Sequence, residues 1–314
     1  MKYIKEQINK FDTIIIHGHI RPDGDCYGSQ FGLKDIILTS FPYKKVYVVG
    51  ETNPKLEFLG KMDIITDEIY QKALVLIVDC GTSVVISEPR YKLGKKIIRI
   101  DHHLLVEKIG HYQWIDSSFS SCSEMMFHFK EKCNLKLSFN GAISIYVGMV
   151  SDTGSFRFQR VNSETFRIVS ELLKNYSFNI SEIDQKINKN NINMLKFQGY
   201  VCNNFQAEKG VLYIKIIDEI VEELNLSIEE IFSKINILSN VEGYPLWAFI
   251  KKLTTNKWKI SIRSSGPQIS HIAHQFGGGG HQHACGIIVA NEEQVDAIIS
   301  LMQENAMEFN KKTK

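Results

Sequence analysis

The stretch HGHIRPDGDCYGS, residues 17–29, places two histidines, two aspartates and an arginine directly after the apolar run Ile14-Ile15-Ile16. A buried strand usually hands over to a turn with one or two polar residues. This one hands over to groups that bind cations. Three further places share the design. Asp79 follows ALVLIV, while Asp101, His102 and His103 follow KIIRI, and Asp152 follows GAISIYVGMV within SDTGSF. Carboxylates mixed with imidazoles suit a divalent ion, Mn²⁺ best, with Mg²⁺, Fe²⁺, Co²⁺ and Zn²⁺ as alternatives. The carboxylates are too many for one tetrahedral zinc. Two cations sharing a carboxylate need about this number of ligands. Gly24 lets the turn bend so that Asp23 and Asp25 both face inward, and Pro22 restricts the approach to it.

Each residue taken alone has a plainer reading. An Asp after a strand commonly caps the next helix. Asp23 could close an Asx-turn, and His19 could be an ordinary hydrogen-bonded residue. The joint pattern argues against all of these holding at once, because every member sits just past an apolar segment.

The elements that must position these groups alternate. Thr13–Ile16, Val46–Val49, Ala73–Val78 and Lys96–Ile100 read as strands, and Ser29–Leu38 and Ser121–Lys132 as helices. Gly141–Val150 reads as either. A continuous hydrophobic run such as ALVLIV suits a parallel strand covered on both faces. The expectation is an α/β domain with a mostly parallel sheet flanked by helices, which binds ligands beyond the carboxyl ends of its strands. Ser163–Tyr176 and Ser181–Asn188 read as further helices. The Asn- and Lys-rich stretch KINKNNINM, residues 186–194, marks a boundary. After it come the strands Val211–Ile217, Leu246–Lys251, Trp258–Arg263 and Ile287–Val289, then a helix from Glu292 to about Phe309 and a solvated tail, Lys311–Lys314. The predicted division is a first domain over 1–186, a linker over 187–205 and a smaller α/β domain over 206–314, with a cleft between the domains.

The second domain carries its own chemistry. In GGGG, residues 277–280, followed by His281, the backbone amides can form an anion-binding nest, to which a following helix would add its positive end. Arg263 ends a strand and is placed for bidentate bonds to a phosphate. His281, His283 and Cys285 alternate but lack a fourth ligand nearby, so they do not read as a zinc site.

Bulk properties narrow the field. A chain of 314 residues is too long for one ordinary core, and 44% hydrophobic residues exclude disorder. A net charge of +2 supplies no field for long nucleic acid or a membrane surface. No apolar run approaches the roughly 20 residues that span a bilayer. MKYIKEQINKFDT lacks an apolar signal segment, so a cytoplasmic protein is expected. The six cysteines show no CxxC spacing and no disulfide framework.

HIRPDGD, VDCG, DHH and SDTGSF resemble, in order, the four motifs of the DHH phosphoesterase superfamily. GGGGHQHACG resembles the GGGH signature of the DHHA1 domain that follows it in many members. The order and spacing most resemble the NrnA-like group of stand-alone bacterial nanoRNases and pAp phosphatases, from about residue 10 to about residue 290. The resemblance implies that His19, Asp23 and Asp79 hold one cation. It implies that Asp25, Asp79, His102 and Asp152 hold a second, with Asp79 bridging. It gives His103 the phosphate and makes Asp101 the orienting partner of a histidine. It assigns the nucleotide grip to Arg263, Ser264, Gly279, Gly280 and His281, with Arg157 a weaker candidate. The implied activity is hydrolysis of short oligoribonucleotides (nanoRNA) to mononucleotides, and of 3′-phosphoadenosine 5′-phosphate (pAp) to AMP and phosphate. The linear dinucleotide pApA and cyclic di-AMP are alternative substrates. GGGGH disfavours an inorganic pyrophosphatase, and the complete ligand set disfavours a non-catalytic nucleotide-binding protein. Cys26, Cys80 and Cys285 depart from the family's usual residues, but all are small enough to pack without altering the ligands. The oligomeric state stays open, a homodimer included.

Overall fold

The computed structural model describes residues 1–189 and 191–313; Asn190 of the expected linker and Lys314 of the expected tail lie outside them. The chain divides into two units, Met1–Lys189 and Asn190–Lys314.

The first unit runs α1 (Lys2–Lys10), β1 (Thr13–His17), α2 (Gly24–Ser40), β2 (Lys45–Val49), α3 (Asp67–Tyr70), β3 (Leu74–Val78), β4 (Lys96–Asp101), β5 (Tyr112–Ile115), α4 (Cys122–Lys132), α5 (Phe139–Asp152), α6 (Ser163–Tyr176) and α7 (Ile180–Ile187). Its five strands are all parallel, in the order β2-β1-β3-β4-β5. Side chains alternate across the sheet. Ile14, Ile16, Leu76 and Ile98 face a core shared with α1, α2, α4, α5 and α6. Ile15, Val75, Ile77 and Ile97 face a thinner layer with Ile65, Tyr70, Ile86 and Tyr91. The chain leaves β1 towards β2 and then returns to build β3 on β1's other side. That reversal between β1 and β3 is the switch point where an open parallel sheet leaves a crevice at its carboxyl edge.

GAISIYVGMV is helical, not a strand: it forms most of α5. It is apolar on all sides because it packs against α2, α4 and α6. Asp152 therefore does not arrive at a strand end; it is the last residue of a helix. That helix runs antiparallel to α2, so it ends at the edge where α2 begins. Their close approach rests on small residues: Gly24 faces Ser151, Gly28 faces Ser144 and Gly148, and Gly32 faces Ile145.

The second unit contains α8 (Ile192–Asn204), β6 (Gln206–Glu208), β7 (Val211–Ile216), α9 (Asp218–Glu223), α10 (Ile228–Ser233), β8 (Leu246–Thr254), β9 (Lys257–Ser264), α11 (Ser270–Gln275), β10 (Gly279–His281), β11 (Ala284–Val289) and α12 (Glu292–Lys312). The sheet is mixed, ordered β10-β11-β9-β8-β7-β6, with only β7 and β8 parallel. Val211 and Tyr213 pack under α12, whereas Leu212, Ile214 and Ile216 pack on the other face with Met194, Phe197 and Val201 of α8. Most of the segment expected as a linker is thus a helix in the core of the second unit. Its apolar residues, spaced three and four apart, have a sheet face to cover. Among the described residues no helix is long and apolar enough to cross a membrane.

The α2–α5 contact gives a stability prediction. A methyl at Gly28 would stand 2.5 Å from the Ser144 carbonyl oxygen and 2.8 Å from the Gly148 Cα. Backbone cannot yield as a side chain can, so Gly28→Ala should destabilise by roughly 1–3 kcal/mol. Gly199→Ala, in α8 with nothing within 4 Å of an added methyl, should stabilise by roughly 0.5–1 kcal/mol. Thermal unfolding of both variants checks this; an unchanged Tm for Gly28→Ala would contradict the tight α2–α5 contact.

Candidate metal centre

Each candidate ligand is delivered by an element end. After β1 the chain passes His19 and reaches Asp23, the N-cap of α2. The Asp23 Oδ1 accepts from the Asp25 and Cys26 amides at 3.0 Å each. The first turn of α2 carries Asp25, which is fully buried. Its carboxylate rests on the amino end of α4, accepting from the Cys122 amide at 2.6 Å and the Ser123 amide at 2.9 Å. Asp79 follows β3 with φ of +53°, the left-handed region that non-glycine residues adopt only uncommonly. Asp101 ends β4, with His102 and His103 directly after it, and Asp152 ends α5.

These ends meet. His19 Nε2 lies 3.5 Å from Asp79 Oδ2 and 3.7 Å from Asp23 Oδ1. His102 Nε2 lies 3.4 Å from Asp152 Oδ2, 3.5 Å from Asp79 Oδ1 and 3.9 Å from Asp25 Oδ2. His103 Nδ1 donates to Asp101 Oδ1 at 2.7 Å and stands 3.7 Å from Asp79 Oδ1. Apart from the His103–Asp101 bond, these separations are long for hydrogen bonds. They match donor atoms that face a common point. Asp79 Oδ1 is buried without any hydrogen-bond partner. A buried, unpaired carboxylate oxygen is strongly unfavourable unless a cation satisfies it, so the donor set fits divalent metal.

The electrostatics agree. Burial, with help from Asp79 and Asp152, pushes the Asp25 carboxyl well above the ordinary carboxylate range. Burial, opposed by His102 and reinforced by Asp79 and Asp23, raises Asp152 to about 6. Burial would lower His102, but Asp79, Asp25 and Asp152 outweigh it and raise the ring to about 10. His19 is raised in the same way, burial being outweighed by Asp23 and Asp79. Burial would raise Asp79 too, yet His102 and His19 hold it well below the ordinary range. The pocket is short of positive charge.

Of the six candidate ligands, His19, Asp25, Asp79, His102 and Asp152 converge most tightly. Asp23 stays at the helix cap beside His19, its side chain 55% exposed. Cys26, expected only to pack, brings its sulfur within 4.8 Å of the His19 and Asp79 donor atoms, and burial pushes its thiol up to about 11. A second group, His128, Glu131 and Glu164, also meets, but Arg167 already binds Glu131, Glu164 and Glu171 there.

In the second unit Arg263 pairs across the sheet with Ala284, which pairs with His281, so Arg263, Ser264 and the β10 residues share one end of the sheet. The Arg263 guanidinium folds back, donating to Ser261 Oγ and the Ile262 carbonyl at 2.9 Å each. Ser264 Oγ donates to the Pro267 carbonyl at 2.5 Å. No helix directly follows the glycine run: α11 precedes it, and Gly279, Gly280 and His281 form β10, hairpinned to β11. The expected helix N-terminus is absent there because residues 284–289 instead form β11, paired with β9 in the sheet. Gly280, at φ +142°, has a backbone that a side chain would strain. Among the described residues His281, His283 and Cys285 form no metal-ligand group. In the first unit Arg157 is exposed and donates to the Gly154 carbonyl at 2.7 Å.

Two arginines escaped the sequence reading. Arg160 Nη1 lies 3.4 Å from His102 Nδ1; its signal was a second arginine in SFRFQR. Arg99 is fully buried and paired with Asp101 at 2.5 Å. Its signal was a charge inside an apolar strand, two residues before Asp101 and so on the same face.

The sequence matches the DHH family, N-terminal domain, over residues 13–149 and the DHHA1 domain over residues 209–308. Asp152 lies just beyond the first match. The chain is similar to the bifunctional oligoribonuclease and PAP phosphatase NrnA of Bacillus subtilis, 33% identical over 93% of this chain and 94% of that protein. It is similar to the probable bifunctional oligoribonuclease and PAP phosphatase NrnA of Streptococcus mutans, 35% identical over 91% of this chain and 92% of that one. Among solved structures it is similar to an exopolyphosphatase-related protein from Bacteroides fragilis, at 26% identity and a TM-score of 0.88, covering 98% of this chain and 96% of that chain. With DHH and DHHA1 domains in succession and such relatives along nearly its whole length, the chain belongs to the DHH family.

Proposed function

We propose that this protein is a Mn²⁺-dependent phosphoesterase that hydrolyses short oligoribonucleotides to mononucleotides, and pAp to AMP and phosphate. The observation that carries the reading is the convergence of Asp25, Asp79 and Asp152 on His102, with a buried Asp79 oxygen left unpaired. The names of the Bacillus and Streptococcus relatives support the substrate class.

Asp79 directs Oδ2 to His19 and Oδ1 to His102, which supports its sharing between two cations. His19, Asp23 and Asp79 would hold one; Asp25, Asp79, His102 and Asp152 would hold the other. Bound there, divalent cations supply a hydroxide near neutral pH and draw charge from the phosphoryl oxygens. His103, its Nδ1 committed to Asp101, turns its other ring nitrogen to the phosphate and stabilises charge as it develops. Arg263, Ser264, Gly279, Gly280 and His281 hold the nucleotide, with Arg157 a further anion contact. The partners are small nucleotides and short RNA, not long nucleic acid or membrane. All six cysteines are free, which suits the reducing cytoplasm.

Turnover with Mn²⁺ on pAp, pApA, a ribonucleotide trimer, cyclic di-AMP, pyrophosphate and a long RNA tests the reading. AMP from pAp and mononucleotides from the trimer are expected, with pyrophosphate and long RNA spared. Preference for cyclic di-AMP or pyrophosphate would overturn the substrate assignment. Asp79→Ala should lower kcat by at least about 10³-fold, since it would disturb both cations; near-normal turnover would contradict the shared carboxylate.

Metal binding should also depend on pH. His102, raised to about 10, and His19, also raised, carry protons near neutrality that a cation must displace. Calorimetric titration of metal-free protein with Mn²⁺ should show tighter binding from about pH 6 to about pH 8, with protons released to the buffer. An affinity independent of pH would contradict imidazole ligation.

A further inference from the structure

We propose that Arg99 is a positioning residue for His103, acting through Asp101; this rests on the phosphoesterase reading above. Arg99 lies inside β4 and is 0% exposed, the largest fully buried side chain among the described residues. Burying a guanidinium is unfavourable unless its donors are met; here both Nη atoms are bonded while Nε has no partner, and an aliphatic residue would fill the same strand position without that penalty. The structure shows what the charge is used for. Nη2 donates to Asp101 Oδ2 at 2.5 Å and to the Gly81 carbonyl at 2.8 Å. Nη1 donates to the Glu107 carbonyl at 3.1 Å and to Gln113 Oε1 at 3.3 Å.

Two of these partners lie on separate loops. Gly81 follows Asp79 in the loop after β3, and Glu107 follows His103 in the loop after β4. One planar guanidinium is therefore anchored in the loops on either side of Asp101, which fixes where it meets that carboxylate, a task suited to its fixed fork of donors. Glu107 adds a second tie, its carboxylate accepting from the Ser83 amide and hydroxyl.

Asp101 is held from both sides. One oxygen belongs to Arg99, and the other accepts from the His103 amide at 3.2 Å and ring Nδ1 at 2.7 Å. A carboxylate only accepts, so this bond fixes the Nδ1–H tautomer and the ring's orientation. Without Arg99, Asp101 would be a buried anion with no cation against its second oxygen. Its carboxylate would be free to turn, and that loosens His103. Arg99 touches no reacting atom; its effect passes through Asp101.

The test is a double-mutant cycle in the full chain with Mn²⁺ and pAp, combining Arg99→Met with His103→Ala. Arg99→Met alone should lower kcat by about 10–100-fold with little change in KM. In the His103→Ala background it should lower kcat no further. An equal loss in both backgrounds would overturn the proposal, since Arg99 would then act on the fold or the metals. Should Arg99→Met fail to fold, Arg99→Lys keeps the cation but not the fork, and the same cycle is run with it. Histidine ¹H–¹⁵N spectra of the metal-free full chain give a readout independent of turnover. The Nδ1–H signal of His103, assigned by its absence in His103→Ala, should shift or vanish in the Arg99 variant; an unchanged signal would overturn the proposal. An inactive wild type would instead count against the phosphoesterase reading, and the spectra would still decide the role of Arg99.

Discussion

Asp25, Asp79 and Asp152 crowd one side of a buried imidazole, and carboxylates so placed cannot all remain anionic without positive charge among them. Much of the first unit can be understood as holding that unfavourable arrangement in place. Two amides at the start of α4 grip Asp25. A left-handed backbone aims Asp79. A buried arginine holds Asp101, which in turn holds His103. Groups that would spread apart in an unfolded chain are kept converging by hydrogen bonds that do not themselves involve a metal ion. Such pre-organisation is what a metal centre needs from its protein.

Topology explains why ligands scattered from His19 to Asp152 arrive together. Parallel strands present their carboxyl ends at one edge, and the reversal between β1 and β3 opens a crevice there. Strands alone do not complete the set. Asp25 begins a helix and Asp152 ends one, and those two helices approach closely through Gly24, Gly28 and Gly32. Packing at that contact is therefore coupled to the geometry of the candidate ligands.

The meeting of these carboxylates and imidazoles and the parallel sheet were legible because each such residue sits just past an apolar run, and that is informative in one dimension. The helical nature of GAISIYVGMV was not, since an apolar run buried on all sides fits a helix or a strand equally well. The segment 187–205 read as a linker from its Asn and Lys content, while Met194, Phe197 and Val201 were committed to a sheet face formed much later in the chain. The glycine run and the strand after it at Ile287–Val289 were legible, but not that Gly279–His281 would themselves pair with that strand as β10. Arg99 was hidden because a strand's periodicity reports which face a residue occupies, not which loops converge there.

The central claim is that the Asp25–Asp79–Asp152 cluster with His19 and His102 is a divalent-cation centre. Anomalous diffraction from crystals of the full chain grown with Mn²⁺ tests it most directly. The account predicts two peaks roughly 3.5–4 Å apart, one beside His19 and the other beside His102, with Asp79 between them. Density showing no bound ion among these side chains, with Mn²⁺ bound elsewhere or not at all, would contradict it.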